Sequence, residues 1–150
     1  MTAAAYNAHP ALALLAEATL PLLGALCVLL PLAAWRKQRL RETPLILWTC
    51  AVVSFALVYL VRFANRGLKI GIAEGLHFST HTAVAISFAV TLLAFRRRLA
   101  PLLAAVLAAY FWMIVFLGYH AEGDVTGTLA VMLPLSVLCH LPWWKQTCER

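Results

Sequence analysis

Apolar residues fill this chain in long blocks, and polar residues gather in short islands between them. The blocks run from Ala11 to Trp35, Leu45 to Val61, Ser79 to Phe95, Pro101 to Tyr119 and Val125 to Leu141. About twenty apolar residues cross the hydrocarbon of a bilayer as a helix. The pattern predicts an all-α integral membrane bundle of about five transmembrane helices, or six if part of the 62–80 loop inserts. All 150 residues then form a single membrane-embedded domain.

Local signals refine the blocks. Glu17 interrupts the first near its start, and Pro21 and Pro31 can bend it. Thr43-Pro44 is a helix start, a hydroxyl at the cap followed by proline at the first helical position. Pro101 opens the fourth block. Pro142-Trp143-Trp144-Lys145 has the character of an interfacial anchor, with aromatics at headgroup level. Met1 to Pro10 carries no basic stretch, so no cleaved signal peptide is expected.

Composition supports the membrane reading. The chain is 63% hydrophobic and 12% charged, against about 25% charged for a soluble domain. Its net charge of +6 sits in short clusters between apolar blocks, which suits anionic lipid and argues against nucleic acid as a partner. The four cysteines, Cys27, Cys50, Cys139 and Cys148, have no paired or metal-type spacing and read as packing residues.

Charge also sets an expected orientation. Five spans put the termini on opposite sides. Residues 36–41, 96–98 and the tail hold nine Lys and Arg, whereas the other side holds Arg62, Arg66 and Lys69. The positive-inside rule then places the carboxyl terminus in the cytoplasm and the amino terminus outside. In a bacterium that is the inner membrane, with both polar islands on the periplasmic face.

Those islands carry the candidate chemistry. The first spans Arg62 to His81 and the second Gly118 to Gly127. Ser79 and Thr80 sit where a loop becomes a helix, so their hydroxyls and the free backbone N–H groups of the first turn form an anion cradle. Arg62, Arg66 and Lys69 lie upstream as cations for a phosphate. His120 and Asp124 are four apart and share a face if helical. Asp124 can fix the imidazole tautomer and leave the other nitrogen as a nucleophile. His81 can then protonate a leaving group.

In this order the clusters resemble the three signature motifs of the type-2 phosphatidic acid phosphatase superfamily. Phe78-Ser79-Thr80-His81 is similar to the family's Pro-Ser-Gly-His. His120-Ala-Glu-Gly-Asp124 keeps the His-x3-Asp portion of Ser-Arg-x5-His-x3-Asp, with Met113-Ile114 where Ser-Arg is expected. Arg62 and Lys69 have the separation of Lys-x6-Arg-Pro in swapped order, without the proline. The resemblance covers roughly residues 60–135. It implies a metal-independent lipid phosphatase without a cofactor. His120 would attack phosphorus, Asp124 support it and His81 act as general acid. Ser79, Arg62 and Lys69 would hold phosphate oxygens. Substrates would be lipid phosphates or polyprenyl diphosphates.

Two other readings stay open. His77 and His81, with His120 and Asp124, have metal-ligand character for zinc or iron, and histidines facing across spans can ligate haem. A lipid-binding or transport protein can use the same cradle without turnover. Arg36–Arg41 and Arg96–Arg98 read as topology signals, and His140 as a structural residue.

Overall fold

A backbone in hydrocarbon has no water to bond, so each apolar block must satisfy its own N–H and C=O groups. The computed structural model, which describes residues 9–36, 43–68 and 77–148, does this entirely with helices in the apolar blocks. They are α1 (Pro10–Arg36), α2 (Thr43–Leu68), α3 (Thr80–Phe95), α4 (Ala100–Phe116) and α5 (Glu122–Cys148), with a 3-10 turn at Arg97–Leu99 before α4. Four of the five, with that turn leading into α4, are long and apolar enough to cross a membrane; α3 has sixteen residues. The protein is a multi-pass helical membrane bundle. The optional sixth segment falls partly on 69–76, outside the described residues.

The shortest helix is the central one. α3 packs against α1, α2, α4 and α5. Ten of its sixteen residues are buried, against three of seventeen in α4. Its sequence explains this. Thr, Ala and Ser recur around the helix, and small side chains let neighbouring backbones approach closely where no hydrophobic effect drives association. Around it, Leu23, Cys27, Leu92 and Leu103 form one apolar cluster, and Val58, Ala83, Ile86, Val90 and Met132 another.

α3 and α5 run parallel with a constant offset of 49 positions. Ser79 N–H donates to Thr128 Oγ1 at 2.9 Å, the Ser87 and Ser136 hydroxyls are 3.4 Å apart, and Trp143 Nε1 donates to the Ala94 carbonyl at 2.9 Å. Thr91 Oγ1 lies 3.0 Å from His140 Nε2, and His140 Nδ1 lies 2.8 Å from the Ser136 carbonyl. α2 joins through Ser54, whose hydroxyl donates to Ser136 at 3.2 Å. Each hydroxyl and imidazole of this stripe therefore finds a partner inside the bundle.

Two helix ends differ from the apolar blocks. α2 continues about two turns past Val61 to Leu68, so Arg62 and Arg66 stand on a helix and not in a loop. The hydrocarbon boundary ends an apolar run, but only a breaking signal ends a helix, and Gly67 is the first one here. α5 likewise continues beyond Leu141 through Pro142 to Cys148.

Candidate active site

The second island begins with a helix stop. Gly118 has φ +70°, the left-handed region that glycine enters without penalty. Its N–H bonds to the Val115 carbonyl at 2.9 Å and that of Tyr119 to Ile114 at 2.9 Å. This is the paired pattern of a Schellman cap. The chain turns sharply there and presents His120 before α5 begins.

Asp124 then fixes three things at once. It is 6% exposed and stands in the first turn of α5, where the helix dipole favours an anion. Its Oδ1 accepts the His77 N–H at 2.6 Å, and its Oδ2 accepts the Ala121 N–H at 3.3 Å, capping the helix from within. Oδ2 also lies 3.7 Å from His120 Nδ1. That is too long for a hydrogen bond but close enough to orient the ring. The two side chains are neighbours, but no hydrogen bond of the expected kind joins them, and His120 precedes the helix and does not share a helical face with Asp124.

Opposite, Ser79 caps α3. Its Oγ accepts the Thr82 N–H at 3.3 Å and the Thr82 hydroxyl at 2.9 Å, and the residue is 0% exposed. Ser79 does not line the cavity described next. Its hydroxyl is committed to the helix end, as an N-cap serine's normally is. Thr80 does line that cavity.

The two islands meet. The rings of His81 and His120 are 5.7 Å apart between centroids. Both border a cavity of about 640 Å³ together with Arg62, Asn65, Arg66, His77 and Thr80, with Leu20 and Val84 on its apolar side. Arg62 and Arg66 are one turn apart at the end of α2, so both guanidinium groups belong to the same helical face. Burial holds the His120 pKa below its ordinary value of 6.5; His81 adds to this and Asp124 opposes it. The ring therefore stays neutral near pH 7, the form that can act as a nucleophile.

Lys69 lies outside the described residues. Met113 and Ile114, where the resembled motif has Ser-Arg, lie within α4. Ile114 is 2% exposed in an apolar cluster with Tyr110 and Leu117, with Met113 packed against it. Among the described residues, the cations that border the cavity are Arg62 and Arg66 of α2. The metal arrangement built on His77 and His81 loses its helical spacing, because α3 starts only at Thr80. Among the described residues no three His, Cys, Asp or Glu side chains are placed to hold one metal ion.

Three features of the site and of the bundle beneath it were not read from the sequence. Asn65 lines the cavity, and its position between the two arginines was the available signal. Thr128 holds the Ser79 backbone, and its spacing of four from Asp124 places both on one face of α5. His140 bonds within the polar stripe of α3 and α5, signalled by Thr128, Ser136 and His140 at multiples of four.

The chain matches no protein-family model, no curated protein and no solved structure.

Proposed function

We propose that the protein hydrolyses a lipid phosphate, as a monoester or a polyprenyl diphosphate, through a phosphohistidine intermediate. The observation that carries this is the meeting of His81 and His120, rings 5.7 Å apart, in a cavity bordered by Arg62 and Arg66. Two imidazoles at that separation suit opposite ends of one in-line displacement at phosphorus. The guanidinium groups and the first turn of α3 supply the charge and donors that a phosphoryl group needs.

The roles are those that the motif resemblance implies, and the geometry is compatible with them. His120 Nε2, the nitrogen not directed at Asp124, attacks phosphorus and forms an N–P bond. The P–O bond to the lipid breaks, and His81 delivers the proton to the departing oxygen. Water then attacks the phosphohistidine, His81 takes its proton, and inorganic phosphate leaves with His120 restored. Arg62 and Arg66 neutralise the equatorial oxygens throughout. This is the metal-independent chemistry of the superfamily that the motifs resemble, with the cations moved from the third motif to α2. The charge pattern supports a periplasmic site in a bacterial inner membrane, the amino terminus outside and the carboxyl terminus in the cytoplasm.

Ile114 favours a second reading. With an apolar core residue at that motif position, the same cavity can bind a lipid phosphate without turning it over. Phosphate release from a panel of lipid phosphates by detergent-purified protein separates the two. Hydrolysis predicts chelator-insensitive release that His120→Ala abolishes. Binding alone predicts no release from any substrate. Release that a chelator stops would point to a metal instead.

A further inference from the structure

A second hollow, of about 520 Å³, lies between α1 and α2. It is bordered by Gly24, Cys27, Val28, Ala51, Val52 and Phe55, with Trp48 and Phe88 completing it. It shares no lining residue with the cationic cavity but lies next to it along α1 and α3. On α1 the lining passes from Leu20 to Gly24, one turn on, and on α3 from Val84 to Phe88, again one turn. On α2 the groove runs from Phe55 to Trp48, about 10 Å at 1.5 Å per residue, and Phe55 stands seven positions, about two turns, from Arg62 of the cationic cavity.

We infer that this groove is the chain subsite of the phosphate cavity: the molecule whose phosphate reaches His120 lays one hydrocarbon chain between α1 and α2. The inference rests on the proposed phosphate-lipid site and narrows its substrates to amphiphiles with a chain that can leave the headgroup along this line. The groove is lined by apolar side chains. Val28 is 52% and Val52 67% exposed, so its wall opens toward the bilayer. At that depth only hydrocarbon can fill it, because polar groups are excluded from the membrane core.

Adjacency to the cationic cavity, one turn away on both α1 and α3, singles out the substrate's own chain from among the surrounding lipid. Room for that chain depends on small residues. A Cβ at Gly24 would lie 3.2 Å from the Phe88 ring, which stacks on Phe55 with centroids 5.9 Å apart. Any larger side chain at Gly24 must displace that aromatic floor or fill the groove.

The test uses alkyl phosphates from butyl to octyl, which dissolve as monomers, and the full-length protein in detergent. In the wild type, each added methylene is expected to raise kcat/KM by up to about fourfold, the limit set by burial of one CH2. Gly24→Leu should flatten this series so that octyl and butyl phosphate react alike. Ala51→Phe provides the same block should the first variant not fold. A chain-length series in both folded variants as steep as the wild type's would overturn the inference.

A second arm needs no turnover. An alkyl phosphate with a diazirine at its tail should label the segments around Gly24 and Ala51, and octyl phosphate should compete while octanol should not. Labelling spread evenly over the lipid-facing residues of α4 would overturn the chain subsite. Absence of phosphate release with this labelling intact would overturn hydrolysis alone.

Discussion

Asp124 Oδ1 accepts the backbone N–H of His77 at 2.6 Å across 47 positions of sequence. This bond ties the start of α3 to the start of α5, and each of these starts carries one histidine. Asp124→Ala should therefore do more than remove an orienting charge. It frees the His77 N–H, uncaps α5 and releases His120. Truncating a buried acceptor that leaves donors unpaired costs about 1–3 kcal/mol. Thermal unfolding in detergent should show a loss of that order, together with a fall in phosphate release of a hundredfold or more. Unchanged stability would contradict the clamp.

Ser79 and Thr80 separate structure from chemistry. Ser79→Ala should cost about 1 kcal/mol as the loss of an N-cap and leave the rate per folded molecule nearly intact. Thr80→Ala should spare stability and raise KM. The motif resemblance alone assigns Ser79 to the phosphate, so a large kcat loss in Ser79→Ala at normal stability would restore that role.

The pH dependence has a definite sign. Because burial and His81 hold the His120 pKa below 6.5, the neutral ring is favoured on folding. The stability it contributes is fully present above that value and is lost as pH falls through the depressed folded value. The acid limb of phosphate release should lie below pH 6.5 for the same reason. Asp124 opposes the depression, so Asp124→Asn should move the His120 titration further toward acid, whereas His81→Gln should move it back up. Histidine NMR titration of the two variants checks both directions, and a shift of the same sign in both would contradict the assignment of causes.

The polar stripe makes a prediction about folding. His140 is fully buried, between Thr91 and the Ser136 carbonyl. His140→Ala should leave a cavity and unpaired groups and cost about 2–4 kcal/mol. Ser136→Ala should cost nearer 1 kcal/mol, the scale of a hydrogen bond between membrane helices. Neither side chain lines the cavity, so the rate per folded molecule should hold in both. Unfolding in detergent with parallel phosphate assays distinguishes the two effects.

These residues also show what the sequence carried. The apolar blocks gave the helices, because a segment in lipid has few alternatives. The His-x3-Asp spacing singled out two side chains that the fold places 3.7 Å apart, with Asp124 in the first turn of α5. The helix ends were less legible. The apolar run stops at Val61, yet Arg62, Asn65 and Arg66 continue the same helix and carry the cations into the cavity. The sequence does not separate the two readings of Ser79, because an N-cap hydroxyl and a phosphate ligand have the same sequence signature. His140 read as structural, but its partners stayed hidden because Thr91 and Ser136 lie on two helices whose offset appears only in the fold.

Trapping the phosphoenzyme tests the mechanism most directly. Rapid base quench of protein turning over a radiolabelled lipid phosphate should yield label that is stable to base and labile to acid, as expected of an N–P bond. It should map to the peptide containing His120 and vanish in His120→Ala. Label on another residue, or steady phosphate release by His120→Ala, would contradict the phosphohistidine and with it the assigned roles of His81 and Asp124.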